Sequence, residues 1–230
     1  MAPPGILYED ADIVVVDKPA GLLVHRSAWS GGDGPSLARM LSDRLGRQVF
    51  AVQRLDRGTS GALLFALSAE MARALQVVFE EGRIEKHYLA LVRGAPPARV
   101  EVDHPVPRRE GAERVAALTL VRTLETVTVE DSPLREKTYA LVEASPRTGR
   151  FHQIRRHLKH LGHPVIGDAN YGRAEHNRLL SERFGLSRLA LHAAELELVH
   201  PETEERLRVV APLPPDLRGP LERMGFALGS

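Results

Sequence analysis

The segment Arg54-Leu55-Asp56-Arg57-Gly58-Thr59-Ser60-Gly61 sets one carboxylate between two arginines, followed by small turn residues and an apolar run. Nearby positive charge favours the ionised form of a carboxyl, so Asp56 is expected to stay charged. In isolation, such an aspartate more often caps a loop or makes a structural ion pair than it does chemistry. A second segment is basic throughout. Between Pro146 and Pro164 lie Arg147, Arg150, Arg155, Arg156, Lys159 and four histidines, with no acid. That composition suits a phosphate backbone, and equally a solvated helix face whose counter-charges lie elsewhere in the fold. His157 and His160, three apart on a helix, could share an ion. With no cysteine, and no neighbouring acidic residue until Asp168, the set makes a poor metal site, and no metal is expected.

These residues need elements to hold them. Ile13 to Val16 reads as a buried strand that runs into the turn Asp17-Lys18-Pro19, and Gly61 to Leu67 reads as another. Ser27 to Pro35, rich in glycine, predicts a loop. Leu37, Met40, Leu41 and Leu45 are spaced as one face of a helix over Ser36 to Leu45. Ser68 is placed to cap a helix from Ala69 to Gly82, which Gly82 stops. Strands are predicted at Tyr88 to Val92, Tyr139 to Val142, Glu195 to Val199 and Leu207 to Val210. Phe151, Ile154, Leu158 and Leu161 form one apolar stripe on a helix from His152 to Leu161, with Arg155, Arg156 and Lys159 off it. Residues Arg108 to Arg135 show little pattern and are expected to be a peripheral excursion from the sheet, with a hairpin. No strict βαβ rhythm and no glycine-rich phosphate loop are present. The expected class is α+β, built on a mixed, largely antiparallel central sheet with flanking helices.

Composition bounds the rest. At 230 residues, with 43% hydrophobic and 27% charged, the chain suits one substantial globular core and is expected to form a single domain. The formal net charge of +1 gives no guide to partners. No apolar run approaches the roughly 20 residues that span a bilayer. No basic-then-apolar leader opens the chain, and the absence of cysteine excludes disulfides and thiolate metal sites. A cytoplasmic monomer is expected.

Taken together, the motifs resemble those of the RluA family of pseudouridine synthases. The signature His-Arg-Leu-Asp-x-x-Thr-Ser-Gly is matched at Arg54, Leu55, Asp56, Thr59, Ser60 and Gly61, with Gln53 in place of the histidine. Lys86-His87-Tyr88-Leu89-Ala90-Leu91-Val92-Arg93-Gly94 is similar to the family's Lys-x-Tyr-x-Ala-x-Val-x-Gly strand. Thr148-Gly149-Arg150-Phe151-His152-Gln153-Ile154-Arg155-Arg156-His157 resembles its helix motif, and Asp17-Lys18-Pro19-Ala20-Gly21-Leu22 its opening strand and turn. The motifs fall in family order and span about Ile6 to Val210.

The resemblance implies an isomerase that detaches uracil from ribose at N1 and rejoins it at C5. Nothing is added or lost, so no cofactor is required. It implies Asp56 as the essential carboxylate and Arg155 as its ion-pair partner. Tyr88 would stack on the flipped uracil and Ile154 would wall its other face, although both placements also fit plain core packing. Arg54 would enter the RNA stem as the base leaves. Arg150, Arg156 and Lys159 would meet the RNA backbone. The departure at Gln53 bears on loop packing or RNA contact, not on the chemistry.

The core strand begins by Ile13, so the N-terminal S4-type RNA-binding domain found in related synthases is not expected. Leu23 to Ser27, Arg155 to Leu161 and Asn177 to Ala193 are similar to members acting on tRNA, so tRNA is the expected partner, with ribosomal RNA as the alternative. An RNA-binding protein without catalysis is a further alternative. The joint presence of Asp56, Tyr88 and Arg155 argues against it. A hydrolytic glycosidase would need a second carboxylate in a comparable motif.

Overall fold

A computed structural model describes residues 4–25 and 35–229. In chain order the elements begin with β1 (Gly5–Glu9), β2 (Ile13–Lys18), α1 (Leu37–Leu45), β3 (Phe50–Ala51), β4 (Ser60–Ala66), α2 (Ala69–Glu80) and β5 (Glu85–Arg93). Next come β6 (Arg99–Asp103), β7 (Val106–Pro107), β8 (Arg114–Val115), β9 (Leu118–Thr128) and β10 (Thr138–Pro146). The chain ends with α3 (Gln153–His160), α4 (Ala174–Phe184), β11 (Leu191–Val199), β12 (Arg206–Val210) and α5 (Pro215–Met224). The class is α+β, and every strand pairing with a recorded register is antiparallel. Contacts divide the chain into two compact units: residues 1–86 with 193–212, and residues 87–192 with 213–230.

In the first unit, β2 lies between β1 and β4, and β4 is followed by β11, which carries β12. β2 and β4 are buried on both faces, and their sequences are correspondingly continuous in Val, Ile, Leu and Phe. Ser68 caps α2 as its position predicts, and Ser36, read from the sequence as the first helical residue, is the cap of α1. Ser36 Oγ accepts from the Arg39 amide and Ser68 Oγ from the Met71 amide, satisfying helix-end donors. Helix α2 turns Met71, Leu75 and Val78 onto β4, where they join Ile13, Val15, Leu64 and Leu196 in one core cluster. Each such side chain contributes about 1.5–3 kcal/mol by leaving water. The loop expected over Ser27 to Pro35 lies outside the described residues up to position 34.

The second unit carries the strand order β5-β10-β9-β6. Helix α3 packs on β9 and β10. After α3 the chain returns along β5: Arg93 N–H donates to Pro164 O, and Ile166 N–H donates to Leu91 O. The expected excursion at 108–135 is corrected here. Only the short β7–β8 pair stands apart as a hairpin. Residues Leu118–Thr128 form β9, the longest strand, paired along β10 on one side and β6 on the other. Its first half alternates, with Thr119 and Val121 inward. Threonine on the inward face hides that period from a hydrophobicity reading. Helices α4 and α5 and strands β1 and β6 are further elements that the sequence pattern did not disclose.

Candidate active site

Asp56 lies in the loop that leads into β4, half-exposed, between buried Leu55 and buried Thr59 and Ser60. Three devices fix this loop. The Asp56 carbonyl accepts from the Thr59 amide at 3.0 Å. Arg57 O accepts from the Gly21 amide at 2.7 Å, while Arg57 Nε donates to Gly21 O at 2.9 Å. Lys18, fully buried at the end of β2, donates to Leu22 O (2.8 Å), Pro19 O (3.0 Å) and Arg57 O (3.2 Å). A buried ammonium needs such acceptors to offset its lost hydration. Lys18 thus binds the Asp17–Leu22 turn to the loop carrying Asp56. Gly61 is set by crowding as well as by its φ of +111°: a Cβ there would lie 2.1 Å from Ala193 O on β11.

Arg54 and Arg57 are exposed, so the loop presents a cation on either side of the acid. Gln53, where the family signature has histidine, is buried in the loop.

In the second unit, Tyr88 sits on β5 opposite Ala144, and is buried, as is Ile154 in the first turn of α3. Arg155 is buried too, contrary to its expected place off the apolar stripe. The reason is Asp168. Arg155 Nε and Nη2 donate to the two carboxylate oxygens of Asp168 at 2.7 and 2.8 Å, a two-point fork. Asp168 Oδ1 also accepts from the Asn170 and Tyr171 amides. Burial alone would raise the Asp168 carboxyl, but the fork and the two amides outweigh it and hold it below the usual range. Gly167, at φ +77°, precedes this acid where a Cβ would meet Arg188 O at 1.9 Å.

The start of α3 is tied down by Gln153. Its Oε1 accepts from Thr148 Oγ1 and the Arg150 amide, and its Nε2 donates to Leu118 O and Thr119 Oγ1. His157, fully buried, donates from Nε2 to His104 O, and its Nδ1 faces Thr119 Oγ1 at 2.9 Å. Burial keeps its pKa below that of a free histidine. With both nitrogens engaged, His157 is a structural member of the helix and not a metal ligand. Arg156 and Lys159 stand over the Tyr171 ring at 5.0 and 5.7 Å, and Arg150 reaches Ala116 O at 3.5 Å.

One cluster in the first unit, Asp10, Asp12 and His200, has ligand atoms within 4.8 Å of one another. His200 Nδ1 accepts from the Glu202 and Thr203 amides, which leaves the ring proton on Nε2, the atom facing Asp10 at 3.4 Å. A protonated nitrogen does not ligate a metal, and Asp10 already accepts from Tyr8 Oη and the Asp12 and Ile13 amides. The cluster is a cap on the β1–β2 turn.

The structure therefore gathers Arg54 and Asp56 on one braced loop, and Arg150, Ile154, Arg155, Arg156 and Lys159 on α3 and its lead-in. Sequence reasoning missed Lys18, Gln153, Asp168 and Tyr171. A charged residue closing an otherwise apolar strand was the available signal for Lys18, and an acid directly after a glycine for Asp168.

Comparison with known proteins settles the family. Residues 12–160 match the RNA pseudouridylate synthase family. This chain belongs to the RluA family of RNA pseudouridine synthases. It is 41% identical over 219 residues to a tRNA pseudouridine synthase C of Haemophilus ducreyi, covering 90% of this chain and 89% of that protein. With the protein of the same name from Salmonella typhimurium it shares 43% over 220 residues, covering 90% and 85%. Among solved structures, it resembles human RNA Pseudouridylate Synthase Domain Containing 4, with TM-score 0.75 and 28% identity, covering 98% of this chain and 95% of that one. Human RNA Pseudouridylate Synthase Domain Containing 1 gives TM-score 0.73 at 30% identity, covering 94% and 89%. As a family member the chain is an isomerase acting on RNA. Among the described residues, no helix is long and apolar enough to cross a membrane.

Proposed function

We propose that the protein isomerises one uridine of a tRNA, the position-sixty-five type, with Asp56 as the essential carboxylate. The braced loop carries this reading. A carboxylate that must meet one bond of an extruded nucleotide has to be held still, and Lys18, Gly21 and Arg57 hold this one. The tRNA assignment rests on the relatives of that name, similar over 90% of the chain.

In the reaction the N1–C1′ bond breaks, the uracil turns, and C5 bonds to C1′. The C5 proton leaves and N1 ends protonated, so atoms balance with no external reactant. Asp56 serves as nucleophile, toward the sugar or the uracil, or as the base that removes a sugar proton. A glycosidase needs a second carboxylate to protonate its leaving group and deliver water. Here the leaving uracil is retained, and one carboxylate suffices. The helix motif assigns Arg155 to the substrate site. Arg54 enters the stem to offset the few kcal/mol of lost stacking and pairing. Tyr88 and Ile154 sandwich the base, and Arg150, Arg156 and Lys159 contact the backbone.

The test is Asp56→Asn. Turnover on tRNA is expected to vanish while RNA affinity stays within about threefold, because the lost charge is not on the phosphate path. Affinity that falls together with turnover would mark Asp56 as structural. Mapping pseudouridine in tRNA and ribosomal RNA after gene deletion separates the two substrates. Deuterium at the sugar position that would lose its proton tests the base role, since only proton removal there gives a primary isotope effect.

A further inference from the structure

Residues of α3, the β7–β8 hairpin and Tyr171 line an open cavity of about 210 Å³. Several waters of about 30 Å³ each would fit, and so would a phosphodiester. Its walls carry Arg114, Arg156, Lys159, His104, His160 and Tyr171, and no carboxylate lines it. The cations are held in place. Arg156 and Lys159 lie over the Tyr171 ring, and Arg114 Nη1 sits 3.2 Å from His104 Nε2. That nitrogen accepts from the guanidinium, and the His104 ring stacks on His160 at 3.8 Å. One donor in this group is unused. Arg156 Nε is buried and has no hydrogen-bond partner among the described residues. A desolvated guanidinium N–H without an acceptor is unfavourable, and Arg156 is one of the residues lining the cavity.

We propose that this cavity is a subsite for one backbone phosphate of the RNA substrate, bound by Arg114 and Arg156 with Lys159 beside them. The proposal rests on the RNA-modifying function above and adds to it a fixed contact made by the β7–β8 hairpin. RNA is the occupant because the same helix carries Ile154 and Arg155, within about one and a half turns of Arg156 and Lys159. A phosphate held here fixes the register of the strand relative to those residues. Positioning of this kind acts on binding and orientation, not on the bond being broken.

The experiment uses the full-length protein with stem-loop RNAs that carry a single neutral methylphosphonate at successive linkages around the target uridine. Arg114→Ala and Arg156→Ala are each expected to raise KM about tenfold with kcat within about twofold. The slope of log K against log salt should become shallower by about 0.7–0.9, the value of one phosphate. At one linkage, the methylphosphonate should weaken the wild type about tenfold and have no effect on a variant carrying both Arg114→Ala and Arg156→Ala. Arg114→Lys and Arg156→Lys, which keep the charge without the fork, should recover part of the loss. Thermal unfolding of each variant identifies any that fail to fold, and the lysine variants then decide the matter. Unchanged KM and salt slope, with pseudouridine still formed, would overturn the subsite and leave the function standing. If the wild type forms no pseudouridine in any RNA, the function fails, and direct binding of the same methylphosphonate RNAs still decides the subsite. Competition by inorganic phosphate with no linkage-specific effect would reduce the cavity to an adventitious anion site and refute the proposal.

Discussion

Lys86 offers a test of how the first unit is held together. Its side chain is buried, and its ammonium lies 4.2 Å above the Phe79 ring at the end of α2. Burial pushes its pKa down to about 8 from 10.5. Between these two pH values the unfolded chain holds the proton more strongly than the folded one, so stability rises with pH across the window. Below about pH 8 the lysine is charged in both states, and the full penalty is present. At about 1.4 kcal/mol per pH unit, the gap of about 2.5 corresponds to a penalty of about 3 kcal/mol. The contact with Phe79 offsets about 0.5–2 kcal/mol of it. Lys86→Met keeps the apolar stem and removes the charge. The variant is therefore expected to be more stable than wild type by about 1–3 kcal/mol at pH 7, with the advantage shrinking to zero or below by about pH 10.5. Urea unfolding of both proteins at pH 7, 8.5 and 10 measures this, and groups common to both cancel in the difference. A gap independent of pH, or a variant less stable at pH 7, would show that Lys86 is not held charged against a desolvation cost.

Asp168→Asn leaves the Arg155 guanidinium buried without its two-point partner, and is expected to cost about 3–5 kcal/mol at pH 7. Because the Asp168 pKa is lowered, its contribution is complete above its unfolded value of 3.8 and fades as the pH falls below it. Denaturant titrations at pH 7 and pH 3 check this, and a cost below about 1 kcal/mol would remove the fork as an anchor. Lys18→Met strips the donor from the carbonyls of Pro19, Leu22 and Arg57. Stability should fall by about 1–3 kcal/mol. Turnover should drop well beyond any change in RNA affinity, as the loop bearing Asp56 loses its brace. A kcat equal to that of wild type would show that this brace does not position the acid.

Local chemistry made much of this molecule legible in its sequence. Runs of Val and Ile marked β2, apolar spacing marked α1, and Ser68 marked the start of α2, because caps, helical periodicity and β-branched strands act over a few residues. The ordered motifs around Asp56, Tyr88 and Arg155 were enough to name the family. Strand β9 escaped, because its inward Thr119 is polar and its burial depends on Gln153 and His157 reaching it from α3. The anchors of the site escaped for the same reason. Lys18 bonds Arg57 across 39 positions, and Arg155 bonds Asp168 across 13. A buried charge is tolerable only where the fold delivers its partner, and that delivery belongs to tertiary structure. The sequence determined which residues could do the chemistry and which short elements would carry them. Only the folded chain decided that a lysine would brace the acid's loop, that Asp168 would hold Arg155, and that Arg114 would meet Arg156 around one cavity, since each depends on distant segments packing together.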